Sequence, residues 1–350
     1  MKTTLISTSA MQNAVRLAIQ RAQSEVTDRQ VEVTTGRHAD IGLALGSKSA
    51  RTISLNRDVA RFDSILDSNA LVSQRLSSSQ EALGQMVESA QIMLDTLITV
   101  KGTQSRNQLD VAEREMRGAL QNFTSLANMS STGEFLFAGV NTDVQPMKDY
   151  LAPGSDAKVA FDAAFSAYFG FTQDDPATDT ITSAQMGDFL DNHVEPMFQG
   201  AAWTTNWSRA SDTNMSSRIT NTEVIDSSTN ANEAGFRDFA LAAVVGVELL
   251  GMDLGGTTRD FLDDRMISYA GNAIAGLNAQ RAQMGVSEGR VTKANEALQA
   301  QKDVVATYIG ELEGVDPYEA SVQMNTLLTQ MEASYALTAR IQQMTLLNYL

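Results

Sequence analysis

The sequence predicts a mainly α fold: a long antiparallel helical rod, coiled-coil-like and built from both chain termini, carrying an inserted outer domain of α+β structure. Three observations predict it. Apolar residues near one end step by threes and fours without interruption through Phe62, Ile65, Asn69, Val72, Leu76, Ser79, Leu83, Met86, Ala90, Met93, Leu97 and Val100. A second seam of the same kind runs through Leu277, Gln280, Met284, Ser287, Val291, Ala294, Leu298, Gln301, Val305, Tyr308 and Leu312. Between them, residues 140–255 hold 12 of the 22 aromatics and four of the five prolines. Seams of this period are the signature of helices packing lengthwise, and dispersed aromatics among turn residues indicate a compact domain. The division expected is 1–139 for the N-terminal helical half, 140–255 for the insert and 256–350 for the C-terminal half.

The elements follow in order. Residues 11–34 read as a first helix, with Val15, Ile19, Ala22, Val26 and Val33 on a spacing that also passes through Arg29. Gly36, Gly42 and Gly46 punctuate a connection, and a second helix runs from about Ser49 to Lys101, roughly 80 Å long at 1.5 Å per residue. A break near Gly102 precedes a third helix with the face Ala112, Met116, Ala119, Phe123 and Leu126. Inside the insert, 158–170 and 184–198 read as short helices and Arg218 to Val224 as a strand. Helical periodicity resumes near Phe236 and is sustained from about Thr258 to Gly314, with Gly251 to Gly256 as the hinge between. Asp316-Pro317-Tyr318-Glu319 then reads as a helix start, with Asp as cap and Pro at the first helical position. In that last helix Met324, Leu328, Met331 and Tyr335 step four, three, four, with Ile341 and Met344 on the same side.

Charge narrows the function. The chain of 350 residues has a formal net charge of −16, of which −12 falls in residues 140–260. Phosphate backbones need clustered Lys and Arg, so nucleic acid is not an expected partner; an anionic membrane surface is disfavoured for the same reason. Cysteine is absent, which removes disulfides, thiolate nucleophiles and Cys-ligated zinc together. The run Phe239 to Val247 is interrupted by Glu248 and too short to span a bilayer, so membrane insertion is not expected. The first residues lack a basic region followed by an apolar core, the pattern of a cleaved secretory signal.

Candidate chemistry is sparse. The two histidines, His38 and His193, have no histidine partner at helical spacing. Asp191, His193 and Glu195 read as a solvated helix end, and Asp174, Asp175 and Asp179 as an acidic loop without the glycine-bearing spacing of a calcium loop. No catalytic residue, cofactor or metal is expected. The methionines of the seams, among 16 overall, read as adaptable core filler or as a promiscuous surface. Asn69, Ser79, Gln280, Ser287 and Gln301 either fix register between helices or mark wetted packing.

Several stretches carry a resemblance: Ile6 to Met11, Thr34-Thr35-Gly36-Arg37, Gly133-Glu134-Phe135-Leu136-Phe137-Ala138-Gly139 through Thr142, Ser217 to Thr220, Asn230 to Arg237, and Ser334 to Ile341 with the closing Leu347-Asn348-Tyr349-Leu350. Together they resemble the bacterial flagellin superfamily and, within it, the hook-associated protein 3 (FlgL) branch of hook–filament junction proteins. Both terminal thirds are covered. Asp40-Ile41-Gly42-Leu43-Ala44-Leu45-Gly46 departs from the family pattern, which continues there with a polar segment containing Asp-Asp-Pro.

The resemblance implies a structural protein exported unfolded without a cleaved signal and placed extracellularly between hook and filament. Its implied partners are a first junction protein of the FlgK type, flagellin, copies of itself in a ring, and an export chaperone. The residues expected to pack between subunits are Val15, Ile19, Ala22, Val26, Leu328, Met331, Tyr335, Ile341 and Met344. The seam within the chain is expected at Phe62, Ile65, Leu76, Leu83, Met86, Met93 and Leu97, facing Leu277, Met284, Val291, Leu298, Val305 and Leu312. Flagellin itself is the alternative, against which Phe135 to Gly139 favours the junction branch. A different class is an outer domain that holds glycan or cation through Trp203, Trp207 and the acidic loops.

Overall fold

A computed structural model describes the backbone of residues 8–347 and, within it, the side chains of 10, 11 and 13–340. The protein is mainly α, with long antiparallel helices and, among the described residues, two small hairpins. It divides into two compact units, Met1–Ser64 with Ala297–Leu350, and Ile65–Glu296.

The unit of residues 65–296 is organised by α3 (Ser49–Val100) and α9 (Gly256–Glu313). Within it they run antiparallel: Asn69 Nδ2 donates to Asn295 Oδ1 at 2.7 Å, Gln80 Nε2 to the Arg281 carbonyl at 3.0 Å, and Lys101 pairs with Asp264 at 2.6 Å. The seam positions from Asn69 to Val100 are all buried, as are those from Leu277 to Ala294. Met86, Met93 and Met284 lie among them, so the seam methionines fill core. The polar seam residues divide. Asn69 also donates to the Ile219 carbonyl at 2.9 Å, fixing register and tying a loop to the helix pair, and Ser79 turns back to the Arg75 carbonyl. Gln280 is buried with neither amide atom bonded among the described residues, and Gln301 is exposed.

Just past the end of α3 the chain turns at Gly102, where φ is 72°, and α4 (Arg106–Ala127) follows. Its buried face, Ala112, Met116, Ala119 and Phe123, packs on α8 (Ala234–Leu249). The approach is close: a Cβ at Gly246 would stand 2.6 Å from Met116 Cγ, while Phe123 and Phe239 stack at 4.4 Å. The Glu248 that interrupts the apolar run of α8 is buried with partners, Lys158 at 2.9 Å and the Tyr150 hydroxyl at 3.0 Å. Burial pushes its carboxyl above the usual range in spite of them. A buried carboxylate without such partners costs several kcal/mol, about 3–5 when one partner is removed.

Between α4 and α8 lie α5 (Asp156–Phe169), α6 (Ser183–Phe189) and α7 (Gly200–Asn206). A π turn at Leu190–Val194 and a 3₁₀ turn at Glu195–Phe198 continue α6, so the helix expected over 184–198 changes pitch as Pro196 is reached. The strand expected over Arg218 to Val224 is corrected. Ser216–Arg218 (β3) pairs antiparallel with Val224–Asp226 (β4), and 219–223 is the turn between them. The Thr220 hydroxyl accepts from the Thr222 and Glu223 amides, which closes that turn and breaks the extended run.

In the other unit, α1 (Thr8–Thr35) runs antiparallel to α10 (Pro317–Leu347). The Tyr318 amide donates to Asp316 Oδ1 at 2.9 Å, the cap expected from the sequence. Their linked ends are held by backbone pairing. The His38 amide donates to the Glu313 carbonyl and the Val315 amide to the Gly36 carbonyl, both at 2.9 Å. Gly36 has φ of 67°, which explains the glycine in Thr35-Gly36-Arg37. Past it, Asp40 caps a short helix, α2 (Ile41–Leu45), in the segment that departs from the family pattern.

Glu32 is buried beneath this junction. Burial pushes its carboxyl up, but the Ala39 amide, Arg29 at 2.5 Å and His38 together hold it below the usual 4.5. A depressed carboxyl contributes stability above its unfolded-state value and loses it as pH falls through the folded value. Glu32→Gln is therefore expected to be less stable than the parent at pH 7, with the gap closing below about pH 4.5. Urea denaturation of both chains across pH checks this, and a gap that stays constant contradicts it.

Candidate functional site

The side chains offered for chemistry are placed by the fold in structural roles. Trp203 and Trp207 are 1% and 2% exposed and stack on each other at 5.5 Å. The Trp203 indole N–H donates to Asn232 Oδ1, and Trp207 stacks on Tyr150. Neither indole presents a face to a sugar, which corrects the expectation that they hold a glycan: their aromatic area closes the core instead. Asp175 caps the turn Pro176–Thr180 through the Ala177 amide, and His193 lies against the rings of Tyr168 and Phe189. Among the described residues no group of three or more His, Cys, Asp or Glu is arranged to hold a metal ion.

The seam residues fall in both units. In residues 65–296, Leu76, Leu83, Met86, Met93, Leu97, Leu277, Met284 and Val291 are buried and Ile65 half-buried. In the other unit Phe62 and Leu298 are buried, while Val305 and Leu312 are half-buried. The main apolar core cluster runs from Val72 to Ala294 and so belongs wholly to residues 65–296.

The terminal unit has much less core and more open apolar surface. It holds eleven of the nineteen exposed large apolar side chains among the described residues, in about half as many positions as the other unit. On α1, Val15, Ile19, Ala22 and Val26 form a half-buried stripe continued by Arg29 and Val33. On α10 the less exposed stripe is Ala320, Met324, Leu327, Met331, Ser334 and Thr338. The step from Met324 goes to the half-buried Leu327 rather than to the exposed Leu328, on the side where α10 packs against α1. Met331 is thus turned toward the partner helix of its own chain. Leu328 and Tyr335 remain 39% and 48% exposed, with the Tyr335 hydroxyl accepting from Gln23 at 2.9 Å, and Val322 and Leu337 are exposed on other sides of the helix. The side chains of Ile341 and Met344 lie outside the described residues. Val322 and Leu337 fall outside the spacing counted from Met324, which is why that periodicity does not pick them out.

The Phe135 to Gly139 motif has a structural reason. A tight hairpin, Ser130–Ser131 (β1) with Glu134–Phe135 (β2), precedes it and is anchored by Arg75 of α3, which reaches Glu134 at 2.7 Å and the Phe135 carbonyl at 2.8 Å. Leu136, Phe137 and Ala138 are then fully buried. Their backbone pairs on both sides, with the Ala231 amide donating to the Phe137 carbonyl and the Ser211 amide to the Ala138 carbonyl. Gly139 passes at φ of 64° under the carbonyls of Ser211 and Thr213.

Comparison with known proteins agrees with this layout. The bacterial flagellin N-terminal helical region matches residues 6–142, and the bacterial flagellin C-terminal helical region matches 267–350. Together the matches take in well over half the chain. No sequence among curated proteins matches it. Among solved structures it is similar to one from Vibrio parahaemolyticus, described as a candidate flagellar hook-associated protein, with a TM-score of 0.53 at 12% identity over 76% of this chain and 97% of that one. Identity that low speaks to the fold. Among the described residues no helix is long and apolar enough to cross a membrane.

Proposed function

This chain belongs to the bacterial flagellin superfamily, and from that premise we propose that it is a FlgL-type structural subunit of the hook–filament junction. The observation that carries the assembly reading is the contrast between its units: a dense core in residues 65–296, and a terminal helix pair that leaves much apolar surface open. Large exposed apolar stripes mark interaction sites. Neighbouring subunits cover Leu328, Tyr335, Ile341 and Met344, while Val15, Ile19, Ala22, Val26 and Met331 hold the helix pair together and are buried further on assembly. Residues 140–255 form the outward insert, between helical halves 1–139 and 256–350. The partners are a first junction protein of the FlgK type, flagellin and further copies of this chain. The chain leaves the cell unfolded by the flagellar export route, with a chaperone covering its C-terminal helix, and its role involves no catalysis.

Electron microscopy of a strain lacking the gene tests the placement. The expected result is hooks without filaments and flagellin shed into the medium. Intact hooks bearing a cap of junction protein and full filaments contradict it. Absence of the bulk filament protein itself supports the second reading, flagellin, which the shared terminal helical regions favour.

A further inference from the structure

All 42 acidic residues lie between Glu25 and Glu332, a span with net charge −20; outside it the only charged side chains are Lys2, Arg16, Arg21 and Arg340. Because α1 and α10 are antiparallel, the start of one and the end of the other share one end of the pair. The stripe Val15, Ile19, Ala22, Val26 faces α10, and the far side of α1 presents Ala10, Ala14, Leu17, Ala18 and Arg21, all exposed. Arg16 and Arg21 have no ion-pair partner among the described residues. Within residues 10–21 this is a small-residue face whose charged side chains are both cations, with Glu25 the first anion one turn further on.

Residues 65–296 carry a surface of the opposite sign. Between the C-terminal part of α3 and α4 runs an open groove of about 610 Å³, lined by Ile92, Val100, Val111 and Ala112 with Asp95 at its edge. It continues past Ile92 into a second cleft of about 460 Å³ with Ser89, Gly118 and Ala119 inside and Glu88 and Glu115 at the rim. Every charged residue lining the two clefts is acidic. Glu88 and Glu115 have no ion-pair partner among the described residues, and the Asp95 carboxylate bonds only Gln91.

We propose that this α3–α4 groove is the seat of the N-terminal half of α1 from a second copy of the chain, apolar face down, with Arg16 and Arg21 meeting Glu88, Asp95 and Glu115. The inference rests on the assembly reading and gives it a docking surface. Small residues on both sides allow the close approach a helix in a groove requires. The contact joins two different surfaces, so it is heterologous and propagates from copy to copy, closing into a ring where the rotation allows. Opposite charge selects the register and speeds encounter, an effect that salt screens.

Sedimentation of the full chain at low salt is expected to show concentration-dependent oligomers that dissociate in high salt. Reversing the groove with Glu88→Lys, Asp95→Lys and Glu115→Lys should weaken association about tenfold or more. Arg16→Glu with Arg21→Glu should do the same, and the chain carrying both sets should regain it, with the helical circular dichroism of every variant unchanged. The absence of cysteine gives a second readout. A Leu17→Cys, Val111→Cys chain should form an oxidised ladder of oligomers, and a Leu17→Cys, Val159→Cys control should not. A parent chain that stays monomeric at low salt overturns the proposal, as do groove variants that associate like the parent or a combined chain that fails to regain association. These outcomes are separable from the junction reading, because a chain that enters flagella normally while carrying the reversed groove sinks this contact and leaves that reading standing.

Discussion

Gly139→Val is expected to destabilise the protein by about 3 kcal/mol, from a strained backbone and overpacking together. The glycine adopts φ of 64°, a region that costs side-chain-bearing residues energy. A Cβ there would also stand 2.5 Å from the Ser211 carbonyl oxygen and 2.7 Å from that of Thr213. Both oxygens are backbone, so neither can swing aside. The Val140 amide donates to the same Thr213 carbonyl, and displacement would break that bond along with the pairing of Phe137 and Ala138. Gly289→Ala on α9 is the matched control. Nothing lies within 4 Å of its would-be Cβ, and alanine in a helix interior should add about 0.5–1 kcal/mol. Equilibrium urea unfolding of the two variants measures the contrast, and a Gly139→Val chain as stable as the parent contradicts the reason given for the motif.

Leu328→Asp combined with Tyr335→Asp is expected to abolish incorporation into flagella while changing monomer stability by only about 0.5 kcal/mol, as exposed positions usually do. The two side chains lie a heptad apart on the open side of α10, and in the single chain they lose only the Gln23 hydrogen bond. In an assembly the introduced carboxylates would be buried without partners, which is costly. Met331→Asp is a poorer test, since Met331 belongs to the stripe facing α1 and its replacement loosens the monomer as well. Swimming assays and immunoblots of sheared flagella report incorporation. Normal swimming by the Leu328, Tyr335 variant removes this surface from the assembly.

The long helices were legible because burial on one face writes a direct periodicity into the sequence. Every seam position from Asn69 to Val100 is buried, and the cap at Asp316 forms as its residue types require. The insert was less legible. The Ile219 side chain is fully buried at the tip of a hairpin and reads in sequence as the middle of a strand. Trp203 and Trp207 suggested a binding face because sequence gives aromatic content without direction; only the fold shows the indoles stacked inside. On α10 the ambiguity was between adjacent residues, Leu327 and Leu328, both apolar and both consistent with a seam. The neighbouring helix decides which is covered. The groove between α3 and α4 was not legible as a site, because the stripe positions Val100, Ala112 and Ala119 and their flanking residues Ile92 and Val111 line one cleft only once the two helices are packed.

The central claim is that the terminal helix pair is completed by neighbouring subunits, and hydrogen exchange tests it most directly. In the free chain, amides of α1 and α10 should exchange far faster than those of α3 and α9 within residues 65–296, because thin packing lowers the free energy of local opening. In isolated flagella the same α1 and α10 amides should become as slow as the core. Terminal helices already as protected in the free chain as the core helices, with no further slowing on assembly, would contradict it.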